Sequence, residues 1–205
     1  MSEMTFYYAP GTCALAVRIA LHEAGAPHQA VRLNLAQGEQ RSPAYLAVNP
    51  KGRVPALVTE HGVLTETPAL LMYLAQRFPA AGLAPLDDPW AMARLQEFHS
   101  YLASTVHIAH AHGPRASRWA DAPEAQAAMK GKVAANMAEC FAFIEQHYLQ
   151  DGPWVLGDTY SVADGYLFTI AGWLRGDGVE LAQFARVQAH WLRMQEREAV
   201  QRALA

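Results

Sequence analysis

The first eighty residues alternate between strand and helix signals, and no strand signal follows residue 90. That division limits the folds open to the chain more than any other feature. Met4 to Tyr8 is a short apolar run of β-formers closed by Ala9-Pro10-Gly11. Leu15, Ile19 and Ala20 then recur at helical spacing until Gly25. His28 to Leu33 reads as a second strand and Pro43 to Ala47 as one short helix. Ala56 to Thr59 and Val63 to Thr65 form a hairpin turning at Glu60-His61-Gly62. Pro68 to Phe78 is a helix with Leu70, Leu71 and Leu74 on its apolar side. The order β-α-β-α-β-β-α predicts a compact α/β domain over residues 1–79.

Residues 80–89 carry prolines and little periodicity, which predicts an interdomain linker. Residues 90–205 read as helix throughout: Trp90 to His112, Pro123 to Tyr148, Ser161 to Leu174, and one or two helices between Phe184 and Leu204. Ser161-x-x-Asp164 is a capping box, a folding device.

A net charge of -3 gives no electrostatic grip on nucleic acid or acidic lipid. No apolar run is long enough to cross a bilayer, and Met1 to Thr5 lacks the basic and apolar regions of a signal peptide. Cys13 and Cys140 are the only cysteines, and in such a chain they are expected to stay reduced, in the cytoplasm.

Three segments carry candidate chemistry. Pro10-Gly11-Thr12-Cys13 puts a thiol at a helix N-terminus, where the dipole and unpaired N–H groups favour thiolate. Thr12 is a candidate cap whose hydroxyl reaches the first turn or a nearby sulfur. The competing reading makes Cys13 an ordinary small apolar residue. Arg53-Val54-Pro55 ends in a residue without an N–H, suited to the start of a strand. Thr65-Glu66-Thr67 opens a helix whose N-terminus can take a carboxylate, while Glu66 can pair with an amine. A ligand bearing both groups on one carbon would be clamped from two sides. Plain capping explains the same residues, and the two readings are compatible.

His99, His107, His110 and His112 have no cysteine or acid interleaved, so no metal site is expected. Trp119, Trp173 and Trp191 are candidates either for an acceptor pocket or for the helical core. Cys140, among Met137, Phe141 and Ile144, reads as an inert core thiol.

Taken in order, Tyr7 to Cys13, Asn49 to Pro55, Leu64 to Thr67, Phe98 to His107 and Gly157 to Asp164 resemble the bacterial glutathione S-transferases, especially the cysteine-containing beta class. The resemblance implies a thioredoxin-like domain followed by an all-helical domain, a homodimer, and glutathione as co-substrate without a metal. It implies that Cys13 touches the glutathione sulfur, with Thr12, Tyr8 and His107 as further catalytic candidates. Arg53, Val54, Pro55, Glu66, Thr67 and Ser100 are the implied glutathione-binding set, with Val54 pairing its backbone across a cis Val54-Pro55 bond. Ser100 stands where the class commonly has asparagine. Residues 36–41 contain no lysine where the class has them, only Arg41. The implied activity is attack of the glutathione thiolate on a small hydrophobic electrophile. The alternatives are a monothiol thiol–disulfide oxidoreductase working through Cys13, since position 16 is alanine, and a non-catalytic ligand-binding regulator on the same fold.

Overall fold

The computed structural model describes residues 4–205; the reading of the first residues as leader-free lies partly outside them. Strands β1 (Met4–Tyr8), β2 (His28–Arg32), β3 (Ala56–Thr59) and β4 (Gly62–Thr65) form one sheet in the order β2-β1-β3-β4. β1 and β2 are parallel, while β3 is antiparallel to both β1 and β4. Helices α1 (Ala14–Glu23), α2 (Pro43–Val48) and α3 (Thr67–Arg77) complete the α/β part. Side chains alternate along β1, so Met4 and Phe6 enter the core with Leu70, Leu71 and Leu74 of α3.

The remainder is helical: α4 (Pro89–Tyr101), α5 (His107–Ala111), α6 (Pro123–His147), α7 (Val162–Ala171), α8 (Ala185–Gln195) and α9 (Glu198–Leu204). Asp88 caps α4, accepting from the Trp90 and Ala91 N–H groups at 2.9 and 3.0 Å. The single helix expected over Trp90 to His112 is interrupted by a π-helical turn at Leu102–Val106. The halves meet where α1 packs against α7 and α9. There Arg197 grips Glu23 with two bonds of 2.6 and 3.1 Å, its guanidinium 3.7 Å from the Tyr160 ring centre.

Helix α7 is fully buried, and its first turn is fastened by more than the expected capping box. Asp164 accepts from the Ser161 N–H at 2.8 Å, the Val155 N–H at 2.8 Å and His190 Nε2 at 3.0 Å. One carboxylate thus ties α7 to the preceding loop and to α8. Among the described residues no helix is long and apolar enough to cross a membrane.

Candidate active site

A cleft of about 480 Å³ opens between the α/β part and the helical part. Its floor is built where β1 passes into α1. Gly11, at φ 70°, makes the sharp entry that a side chain would resist. Thr12 then donates its one hydroxyl proton to the Ala9 carbonyl at 2.7 Å and accepts from the Ala14 N–H at 3.3 Å. Thr12, expected as a cap reaching the first turn or a nearby sulfur, makes the first-turn contact and lines the cleft beside Cys13.

Cys13 is the N-cap residue of α1 and lines the cleft, its thiol directed toward the Val54 carbonyl at 3.9 Å. A helix N-terminus favours a lowered thiol pKa, and burial reverses that preference at Cys13. Burial pushes the Cys13 thiol up, and this outweighs the Thr67 hydroxyl, the Arg115 guanidinium and the cysteine's own N–H, which act the other way. The thiol is therefore protonated at neutral pH.

The second wall is the loop before β3. The Val54-Pro55 bond is cis. The carbonyl just before it, that of Arg53, is held by the Tyr45 hydroxyl at 2.6 Å and the buried Asn49 amide at 2.7 Å. Gly52, at φ 59°, lets the loop pass Arg41: a Cβ there would lie 2.7 Å from the Arg41 Nη1 atom. Tyr45 and Asn49 escaped sequence reasoning as site supports, because only the folded loop turns them on one carbonyl.

The third wall is the entry to α3. Glu66 is the only non-glycine residue with positive φ, 73°, among the described residues. Such a conformation costs on the order of 1–3 kcal/mol and collects at functional sites. Thr67 is 4% exposed at the first position of α3. The Glu66 carboxylate is met by the Lys51 ammonium at 2.5 Å, which also donates to Thr65 at 2.9 Å. The position expected to receive an amine thus already holds one, in an exposed pair worth about 0–1 kcal/mol and easily exchanged.

The helical half closes the cleft with His107, His110, Arg115, Arg118, Trp119, Tyr166 and Trp173. The Trp173 ring lies edge-on to His107 at 4.9 Å and stacks on His110 at 4.4 Å. His110 is fixed by Asp177, 2.8 Å from Nδ1. Burial, reinforced by Arg115 and other nearby cations, lowers the His107 pKa to about 4, so its ring is neutral at pH 7. Sequence reasoning missed Arg115, Arg118 and Tyr166. Tyr166 follows the capping box inside an apolar helical run, and no local pattern marks it or the arginines.

Two expected site residues lie elsewhere. Tyr8 shares the Met4–Phe6 face of β1, stacks on Phe6 at 5.8 Å and sits under the Arg18 guanidinium at 4.9 Å, outside the cleft lining. Ser100 is an exposed residue of α4 whose carbonyl accepts from Ser104, and it too is absent from the lining. In an unbroken helix Ser100 and His107 would share a face. The π turn inserts one extra residue between them and rotates Ser100 away by about 100°. Trp191 packs on Phe168 at 5.5 Å in a separate cluster, while Trp119 and Trp173 reach the cleft. The histidines do not converge. His99 is buried beside Tyr166, and among the described residues no group of three or more His, Cys, Asp or Glu side chains could hold a metal ion.

Residues 2–76 match the family model described as glutathione S-transferase, N-terminal domain, and residues 119–202 match glutathione S-transferase, C-terminal domain. The glutathione S-transferase GstA of Escherichia coli O157:H7 is 31% identical over 204 residues, covering 98% of each chain. A glutathione transferase homolog from Sulfitobacter, solved with bound glutathione, superposes with a TM-score of 0.96 at 46% identity, covering 100% of this chain and 98% of its own. The beta class enzyme of Sphingomonas chungbukensis gives a TM-score of 0.85 at 34% identity, covering 98% and 96%.

Proposed function

The chain belongs to the glutathione S-transferase family, and we propose that its cleft holds glutathione with the peptide's sulfur over Cys13. The activity is glutathione transfer: the glutathione thiolate attacks an electrophile. The observation that carries the placement is the convergence of Cys13, Val54 and the Glu66-Thr67 corner on one cleft. Glu66 takes the ligand's γ-glutamyl ammonium from Lys51, Thr67 and the α3 N-terminus take its carboxylate, and Val54 offers backbone groups to the cysteinyl unit. The Cys13 S–H turns from the Val54 carbonyl to the incoming sulfur, and the Arg115 charge favours the thiolate. Neutral His107 can accept a proton there or donate one, according to its tautomer. We place the glutathione-binding part at residues 1–79, the linker at 80–89 and the helical part at 90–205.

This reading assigns Cys13 to the beta-class manner of contact with glutathione, as a hydrogen-bond donor. It is a slow disulfide partner, because its thiol is protonated and no second cysteine stands at position 16. Isothermal calorimetry should show glutathione binding. Cys13→Ala should keep conjugation of 1-chloro-2,4-dinitrobenzene within about tenfold, since an S–H is a weak donor and its loss costs on the order of 1 kcal/mol, below the usual range for a bond to a charged group. Modification of Cys13 by oxidised glutathione should accelerate with pH to beyond pH 9, about tenfold per unit, because the thiolate fraction rises that way below a raised pKa. A rate already at its plateau at pH 7 would refute the protonated thiol.

We further propose a cytoplasmic homodimer. Support for the dimer comes from the family resemblance and from exposed apolar side chains, among them Trp90 at the start of α4, 76% exposed, with Phe143 and Val63. Light scattering at micromolar concentration should return twice 22.5 kDa; a single-chain mass would count against the dimer.

A further inference from the structure

The chain carries a net charge of -3, yet five of its sixteen lysines and arginines line one cleft: Arg41, Lys51, Arg53, Arg115 and Arg118. The acids nearby are engaged, Glu66 by Lys51 and Asp177 by His110. Among the described residues none of the four arginines has a carboxylate within 4.0 Å. They are also close to one another: Arg115, Arg53 and Arg41 all act on the Arg118 guanidinium. Like charges gathered without counter-charge are unfavourable, and a cleft so lined raises the local concentration of anions.

Glutathione cannot neutralise this set. Its γ-glutamyl carboxylate goes to Thr67 and its ammonium to Glu66, which leaves one carboxylate and the thiolate for four guanidinium groups. Arg41 and Arg53 come from the α/β part, beside the loop that carries Val54, and suffice for that carboxylate. Arg115 and Arg118 come from the helical part. Arg115 lines the same cleft as Cys13 and His107. Next to it Trp173 stacks on His110 and meets His107 edge-on, which gives the cleft an aromatic wall.

We propose that Arg115 and Arg118 bind a carboxylate of the second substrate, which is an anionic, carboxylate-bearing electrophile with a planar reacting portion. This rests on the reading of the cleft as a glutathione site. In a substitution the thiolate forms the new S–C bond and the leaving group departs with the bonding pair. The arginines hold the carboxylate throughout and take no proton.

The test compares 4-chloro-3,5-dinitrobenzoate with its uncharged methyl ester, each rate divided by its uncatalysed reaction with glutathione; chloride leaves in both. The wild-type kcat/KM should favour the acid by at least about tenfold, the discrimination that a charge-assisted bidentate contact gives. Arg115→Gln and Arg118→Gln should each collapse that ratio, while Arg115→Lys, which keeps the charge but loses the planar fork, should retain only part of it. Glutathione affinity is measured separately by calorimetry without electrophile. If glutathione binds and the acid has no advantage, or the ratio survives both glutamine variants, the proposal is wrong and the glutathione reading stands. If glutathione does not bind, both fall.

Discussion

Asp164→Ala should destabilise the protein by about 3–5 kcal/mol, the combined cost of leaving several buried donors without their acceptor. The carboxylate is 0% exposed and receives the Val155 N–H, the Ser161 N–H and His190 Nε2. Alanine leaves all three without that acceptor in an interior that water does not reach, and each orphan costs about 1–3 kcal/mol unless the structure relaxes. For a chain of this size the melting temperature should fall by roughly 6–20 °C. Asp164→Asn should cost less, because its amide oxygen still accepts, but its NH₂ would face another donor. The exposed Asp158→Ala, a few residues away, serves as the control and should change little. Thermal denaturation of the three variants decides it. A loss below about 1 kcal/mol for Asp164→Ala would mean that the network is dispensable. The consequence reaches the active site, because α7 carries Tyr166 into the cleft from the turn that Asp164 fastens.

The capping box at Ser161 was legible because it needs only four consecutive residues. Its extension to Val155 and His190 was not, because those partners arrive from separate elements. The same distinction runs through the molecule. The strand and helix order of the α/β part is written in local pattern and falls where expected. Tyr8 could have been placed correctly from alternation alone, since it has the parity of the buried Met4 and Phe6. Ser100 could not: spacing to His107 assumes a regular helix, and nothing in Leu102-Ala-Ser-Thr-Val106 announces a π turn. The state of the Cys13 thiol is a contest between a local helix terminus and burial by distant residues, and burial wins. Arg115 and Arg118 acquire their meaning only from lining one cleft with Arg41 and Arg53.

Glu66→Ala should weaken glutathione binding by about 1.5–3 kcal/mol, or roughly 10- to 150-fold in Kd, by removing the acceptor for the γ-glutamyl ammonium. Stability should barely respond, because the pair it makes with Lys51 is exposed on both sides. Glu66→Gly separates the two roles of the position. Glycine takes φ 73° without the steric penalty, which relieves part of a strain of about 1–3 kcal/mol, set against about 0.5–1 kcal/mol of added chain entropy in the unfolded state. Its melting temperature should therefore hold or rise while its affinity falls as far as alanine's. A strained backbone kept at a site that a smaller residue would relax is what a binding role predicts, since the conformation aims the carboxylate into the cleft. Glu66→Gln should lie between wild type and alanine, because the amide oxygen accepts from an ammonium without a full charge. Calorimetric titration of glutathione into the three variants, alongside their melting curves, tests the whole set. Equal affinity in wild type and Glu66→Ala would take Glu66 out of the binding site and leave its positive φ without a functional account.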